Sequence, residues 1–131
     1  MDELERVVFV EDDPDITELI DIALNTIGGM SAVGFSSGHT AIKEAAAHAP
    51  QIILLDVMMP DIDGPETLKE LRGQSAFEHV PAIFLTAKVH PNEIQRLRDL
   101  GADGVISKPF DPMTLADKLR SIWQEVAKTG I

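Results

Sequence analysis

The chain has 131 residues, of which 22 are acidic and 11 basic, so its formal net charge is −11, and 44 % of it is hydrophobic. One domain fits this length, the apolar share suits a packed core, and the charge disfavours free nucleic acid, which needs a basic stripe; a cation or a basic protein surface is the better partner. The chain has no cysteine, no run long enough to span a membrane and, at Met1-Asp2-Glu3-Leu4-Glu5, no positive-then-apolar leader. These features exclude a disulfide scaffold, a thiolate zinc site and a cysteine nucleophile, and they predict a cytoplasmic protein.

The first predicted strand covers residues 7–10 (Val-Val-Phe-Val) and ends in Glu11-Asp12-Asp13. A helix follows, with Asp13 as its cap and Pro14 at its first position. Its apolar residues are Ile16, Leu19, Ile20, Ala23, Leu24 and Ile27, and Gly28-Gly29 stops it. A weaker strand lies at 31–35. A second helix runs over about 37–48, with Ile42, Ala45, Ala46 and Ala49 on one side and Pro50 at its end. The run Ile52-Ile53-Leu54-Leu55 is the next strand and stops at Asp56. A third helix covers about 65–72, and a strand at 82–85 leads into Thr86-Ala87. The fourth helix spans about 91–100, turning Ile94, Leu97 and Leu100 inward, with Gly101 as its stop. A strand at 104–106 ends in Ser107-Lys108-Pro109. The fifth helix opens at Asp111-Pro112 and carries Leu115, Leu119, Ile122, Trp123 and Val126 on one stripe.

The strand runs are short, rich in β-branched residues and apolar without alternation. That is the pattern of parallel strands covered on both faces. Five β-α units with right-handed crossovers predict an α/β fold, a doubly wound parallel sheet with helices on both sides. Ligands of such sheets bind beyond the carboxyl ends of the strands. There the pattern gathers Glu11, Asp12 and Asp56, with Thr86 and Lys108. Carboxylates crowded together raise one another's pKa or demand a cation, and an all-oxygen set favours a hard divalent ion. Asp13 is read as a helix cap. His39, His48, His79 and His90 show no pairing and are read as surface residues.

These residues, in this order, resemble the receiver domain of two-component response regulators. The segments that carry the likeness are Val8-Phe9-Val10-Glu11-Asp12-Asp13-Pro14, the stretch from Leu54 to Gly64 around Asp56, Leu85-Thr86-Ala87, Gly101-Ala102-Asp103 and Ser107-Lys108-Pro109-Phe110. The resemblance implies a flavodoxin-like sheet of order 2-1-3-4-5 with five helices, in a single receiver domain over 1–131 with its core at about 6–127. It implies Asp56 as phosphoacceptor and Mg²⁺ held by Asp12, Asp56 and the main-chain carbonyl of Met58, with Glu11 acting through water. Lys108 would pair with the phosphoryl oxygens, Thr86 would donate its hydroxyl to them, and the Lys108–Pro109 bond would be cis.

The implied donor is a sensor histidine kinase or a histidine phosphotransfer protein. The implied output is a downstream protein bound on helix four, strand five and helix five. No direct nucleic-acid or membrane contact is expected, and the state is a monomer or a phosphorylation-dependent dimer. No output domain is expected within these residues. The family often carries an aromatic residue where Val105 stands, so here the signal is expected to travel by backbone shift and Thr86 movement. Met58 and Lys88 occupy positions that border the phosphoryl group in receivers, and an apolar Met58 is expected to prolong its life.

Two other readings use the same residues. An aspartate-nucleophile phosphatase would need a second acid where Met58 stands, so no turnover of external substrates is expected. An interaction module that is never phosphorylated would be expected to lack one of the key residues, and all are present. A nucleotide site would need a glycine-rich loop after the first strand, and a calcium loop would need an acid where Met59 stands.

Overall fold

A computed structural model describes residues 3–129. The outermost residues of the expected 1–131 domain lie outside the described residues. The chain alternates strand and helix: β1 (Arg6–Val10), α1 (Pro14–Asp21), β2 (Ser31–Phe35), α2 (Gly38–Glu44), β3 (Ile52–Asp56), α3 (Gly64–Arg72), β4 (Ala82–Thr86), α4 (Pro91–Asp99), β5 (Gly104–Ser107) and α5 (Leu115–Thr129). The five strands form one sheet in the order β2-β1-β3-β4-β5, with every pair parallel. This is the expected doubly wound architecture.

Alternate residues of each strand serve opposite faces. Val7, Phe9, Leu54 and Leu85 pack into a layer with Ile20 and Leu24 of the first helical segment and Leu115 and Leu119 of α5. Val8, Val10, Leu55 and Phe84 pack into a second layer with Ala41 of α2, Leu68 and Leu71 of α3 and Leu97 of α4. Both faces are covered, so the strand sequences are apolar throughout. Each fully buried Leu or Phe is worth about 1.5–3 kcal/mol against exposure.

The first helix begins as its sequence dictates. The Asp13 side chain accepts the Asp15 and Ile16 amides at 2.9 and 3.5 Å, and Pro14 starts the helix. After Asp21 it widens into a π-helical turn, Ile22–Ile27, where the Gly28 amide reaches the Ala23 carbonyl at 3.0 Å. This turn aims Asn25 at β2, the edge strand. The Asn25 Nδ2 donates to the Ala32 carbonyl at 3.1 Å, and the Ala32 amide donates back to Oδ1 at 2.7 Å. One side-chain amide thus imitates a neighbouring strand.

Several expectations about single residues need correction. Leu19 and Ile27, in the apolar series of the first helix, are exposed. Leu100 is exposed as well: α4 ends at Asp99, Gly101 turns the chain at φ +109°, and Ala102 is the residue that enters the core. Ala49 does not continue the inward side of the second helix. The chain tightens into a 3₁₀ turn at Ala45–His48, and Ala49 leaves it at φ +46° and exposed. The fifth helix begins at Leu115 rather than at Asp111-Pro112, because the Asp111 side chain and carbonyl hold a turn by accepting the amides of Met113, Thr114 and Leu115 at 2.9–3.1 Å. The four histidines are exposed, as expected.

Candidate metal and phosphoryl site

The parallel register brings the carboxyl ends of β1, β3, β4 and β5 to one edge. Glu11 follows β1, and its amide donates to the Phe35 carbonyl of β2 at 3.0 Å. Asp56 is the last residue of β3 and is paired with Leu85 of β4. Thr86 ends β4, paired with Ser107 of β5. The Lys108 amide then donates to the Thr86 carbonyl at 2.9 Å. The Lys108–Pro109 peptide bond is cis.

Behind Asp56 the loop folds back tightly. The Gly64 amide donates to the Val57 carbonyl at 3.0 Å. A Cβ on Gly64 would lie 2.3 Å from the Asp56 carbonyl oxygen. Only glycine lets α3 start so close to the strand end. Asp63 caps α3 by accepting the Glu66 amide at 2.9 Å.

The side chains converge as the sequence pattern predicts. One carboxylate oxygen each from Glu11, Asp12 and Asp56 lie within 4.8 Å of one another. Glu11 is 1 % and Asp56 4 % exposed, whereas Asp12 is open to solvent. The Lys108 ammonium lies 2.7 Å from Glu11 Oε1 and 3.0 Å from Asp56 Oδ1. Burial pushes the Glu11 carboxyl up to about 7, helped by the charge of Asp56 and opposed by Lys108 and the Asp13 amide. Burial works against the Lys108 charge, yet its hydrogen bonds to Glu11 and Asp56 outweigh it and hold the pKa above the ordinary lysine value.

Glu11 Oε1 is buried, and the Lys108 ammonium at 2.7 Å is its one partner among the described residues. A buried carboxylate oxygen left in that state, beside two further carboxylates, fits a hard cation. The donor set therefore suits a divalent metal ion.

Thr86 and Met58 stand at the same edge in different circumstances. Thr86 is buried, but its Oγ1 accepts the Lys88 amide at 3.0 Å. Its hydroxyl is engaged with its own loop rather than with Asp56. The Met58 side chain is 70 % exposed on the loop after β3. Sequence reasoning placed all six residues at one rim but missed the Lys108–Glu11 contact. No signal in the sequence tells which way a lysine side chain turns.

The family profile described as "Response regulator receiver domain" matches residues 7–120. The chain belongs to that family. It is similar to the transcriptional regulatory protein CseB of Streptomyces coelicolor, 32 % identical over 125 residues that cover 95 % of this chain and 52 % of that protein. It is also similar to the alkaline phosphatase synthesis transcriptional regulatory protein PhoP of Bacillus subtilis, 33 % identical over 117 residues, 89 % of this chain and 48 % of PhoP. The receiver thus spans about half the length of these curated relatives. Among solved structures, the chemotaxis response regulator CheY4 of Vibrio cholerae superposes with a TM-score of 0.84 at 29 % identity, covering 91 % of this chain and 98 % of that one. The chain is a phosphorylation-dependent signalling receiver of the two-component type. No described helix is long and apolar enough to cross a membrane.

Proposed function

We propose that Asp56 accepts a phosphoryl group from a phosphohistidine on a sensor kinase or a histidine phosphotransfer protein. The histidine N–P bond breaks, the nitrogen keeps the electron pair, and an Asp56 oxygen takes the phosphorus. The observation that carries this reading is the convergence of Glu11, Asp12 and Asp56 within 4.8 Å with Lys108 at 3.0 Å from Asp56. A strand end fixes the Asp56 line of attack. Lys108, already in contact with Asp56, can turn its charge to an incoming phosphoryl oxygen. Asp12, Asp56 and the Met58 carbonyl would hold Mg²⁺ directly, with Glu11 behind them. When bound, Mg²⁺ would offset the repulsion between the carboxylate and the phosphoryl oxygens.

Thr86 supplies the link to the surface. To donate to a phosphoryl oxygen, its hydroxyl must leave the Lys88 amide, which frees the segment carrying Lys88 and Val89. Val89 lines a cleft of about 550 Å³ with Ile94, Val105 and Ile122. This cleft between α4, β5 and α5 is the output surface in our reading, and Val105 leaves it without an aromatic filling. Binding there of a downstream protein, action in the cytoplasm, lack of turnover on external substrates and lack of direct nucleic-acid contact belong to the same reading.

Intact-mass analysis after acetyl phosphate with Mg²⁺ tests it. The parent is expected to gain one phosphoryl group and the Asp56→Asn variant none. Equal adducts on both would remove Asp56 from this role.

A further inference from the structure

Strand β2 has a neighbouring strand on one side alone. The Ser31 amide donates to the Glu5 carbonyl at 2.6 Å, and the Phe35 carbonyl accepts the Glu11 amide at 3.0 Å. Ser31, Val33 and Phe35 therefore turn their backbone groups to β1, and Ala32 and Gly34 turn theirs outward. Asn25 meets both outward groups of Ala32. Gly34 is exposed and has no such partner among the described residues. It has no side chain to screen the edge either, since a Cβ there would meet the Phe9 ring at 2.5 Å. The ring accounts for the glycine, and the result is bare main chain at a sheet edge, which natural sheets ordinarily cover or blunt. This edge opens into a cleft of about 490 Å³, lined by Gly34 and Ser36 on one side and by Thr17, Glu18 and Asp21 of α1. No Lys, Arg or His lines it. Asp21 accepts the Asn25 amide at 2.5 Å, whereas Glu18 is exposed and has no ion-pair partner among the described residues.

We propose that the edge of β2 at Gly34 is a docking site for an extended segment of a partner protein, one that carries a lysine or arginine. The segment adds to the sheet as a sixth strand. Its backbone exchanges hydrogen bonds with the Gly34 N–H and C=O, which supplies the affinity common to every extended chain. Charge supplies the choice of occupant. A side chain of the segment turned to the α1 side passes over Gly34, where nothing projects against it, and faces the acidic wall formed by Glu18 and Asp21. A basic residue suits that wall. A second copy of this chain, itself at net charge −11, would bring its own Glu18 and Asp21 against the same two residues, so like charge disfavours self-pairing. Asn25 sets the register, because it closes the edge at Ala32 and leaves Gly34 as the open position beyond it. The site stands at the opposite edge of the sheet from β5 and its cleft, and the inference does not depend on phosphorylation of Asp56.

The test titrates a capped peptide of alternating valine and lysine into isotope-labelled protein and follows the amide resonances. Gly34 and its neighbours in β2 are expected to shift, and hydrogen exchange at the Gly34 amide to slow, while α4 and β5 stay still. The same peptide methylated on its backbone nitrogens keeps the charge but cannot pair, and should bind far more weakly. Glu18→Lys should weaken the lysine peptide severalfold and accept a valine-glutamate peptide in its place. Asn25→Ala uncovers Ala32, lengthens the open edge and should tighten binding. Failure of the lysine peptide to bind would overturn the inference, as would shifts confined to other elements. Equal binding of the methylated peptide would overturn it as well, since charge alone would then hold the ligand. So would a Gly34 amide protected from exchange in free protein that sediments as a dimer, because a second copy would then occupy this edge.

Discussion

Glu11 is the most constrained residue of the site. It lies in the pocket under Asp12, with one oxygen on the Asp13 amide at 3.2 Å and the other facing Lys108. Its folded-state pKa is raised from 4.5 to about 7. A carboxyl with a raised folded pKa contributes stability below its unfolded pKa and loses it as pH climbs through the folded value. The metal-free protein should therefore weaken between pH 4.5 and about 7. A shift of this size corresponds to about 3 kcal/mol. Glu11→Gln should lack that slope. Urea denaturation of both proteins in chelator, at about pH 5 and about pH 8, checks this, since the parent should lose ground to the variant at the higher pH. Parallel curves at the two pH values would show that Glu11 titrates in the ordinary carboxylate range.

At the scale of elements, two close fits do most to hold the site edge. Gly64 lets α3 begin against the Asp56 carbonyl. Gly64→Ala would force the backbone apart there, so we expect a loss of about 1–3 kcal/mol together with slower phosphoryl uptake. A denaturation midpoint and a phosphorylation rate measured on one preparation read both effects. The second fit is Asn25, which pairs with both outward-facing backbone groups of Ala32 on β2. Asn25→Ala should speed hydrogen exchange at the Ala32 amide and cost about 1 kcal/mol. An unchanged exchange rate would mean that water serves Ala32 equally well.

These two fits also mark where the sequence stops being legible. The strands are plain in it because runs such as Ile52-Ile53-Leu54-Leu55 are apolar without alternation, and the site is plain because acids, a threonine and a lysine terminate those runs. Asn25 carries no such mark. It looks like one more polar residue in an amphipathic helix, and its partner belongs to another element. The π-helical turn that aims it ends at Gly28, which sits so close to α5 that an added Cβ would meet Ala116 at 2.7 Å. Leu100 shows the reverse failure. It keeps helical spacing with Leu97, yet the helix has ended and the left-handed glycine after it turns the side chain outward.

For the whole molecule, the site edge and the cleft between α4, β5 and α5 are joined through β4, β5 and the segment between Thr86 and Pro91. If Thr86 is the link, beryllofluoride with Mg²⁺ should shift amide resonances across residues 87–110, while β2, at the far edge of the sheet, stays nearly still. Fixed resonances in 87–110 would end the idea that backbone movement stands in for an aromatic side chain at Val105.

The molecule as a whole carries a net charge of −11, yet its most acidic pocket holds a counter-ion of its own. The Lys108 ammonium sits between Glu11 and Asp56. A dication entering there meets a partly neutralised nest and is repelled by a resident cation, so it binds more loosely than three bare carboxylates would bind it. Loose binding keeps occupancy responsive to the surrounding magnesium concentration instead of locking the pocket full. Trimming the lysine, as in Lys108→Met, should then tighten the grip on magnesium even as it robs the phosphoryl group of its partner, and a calorimetric titration would register the first effect without any phosphate present.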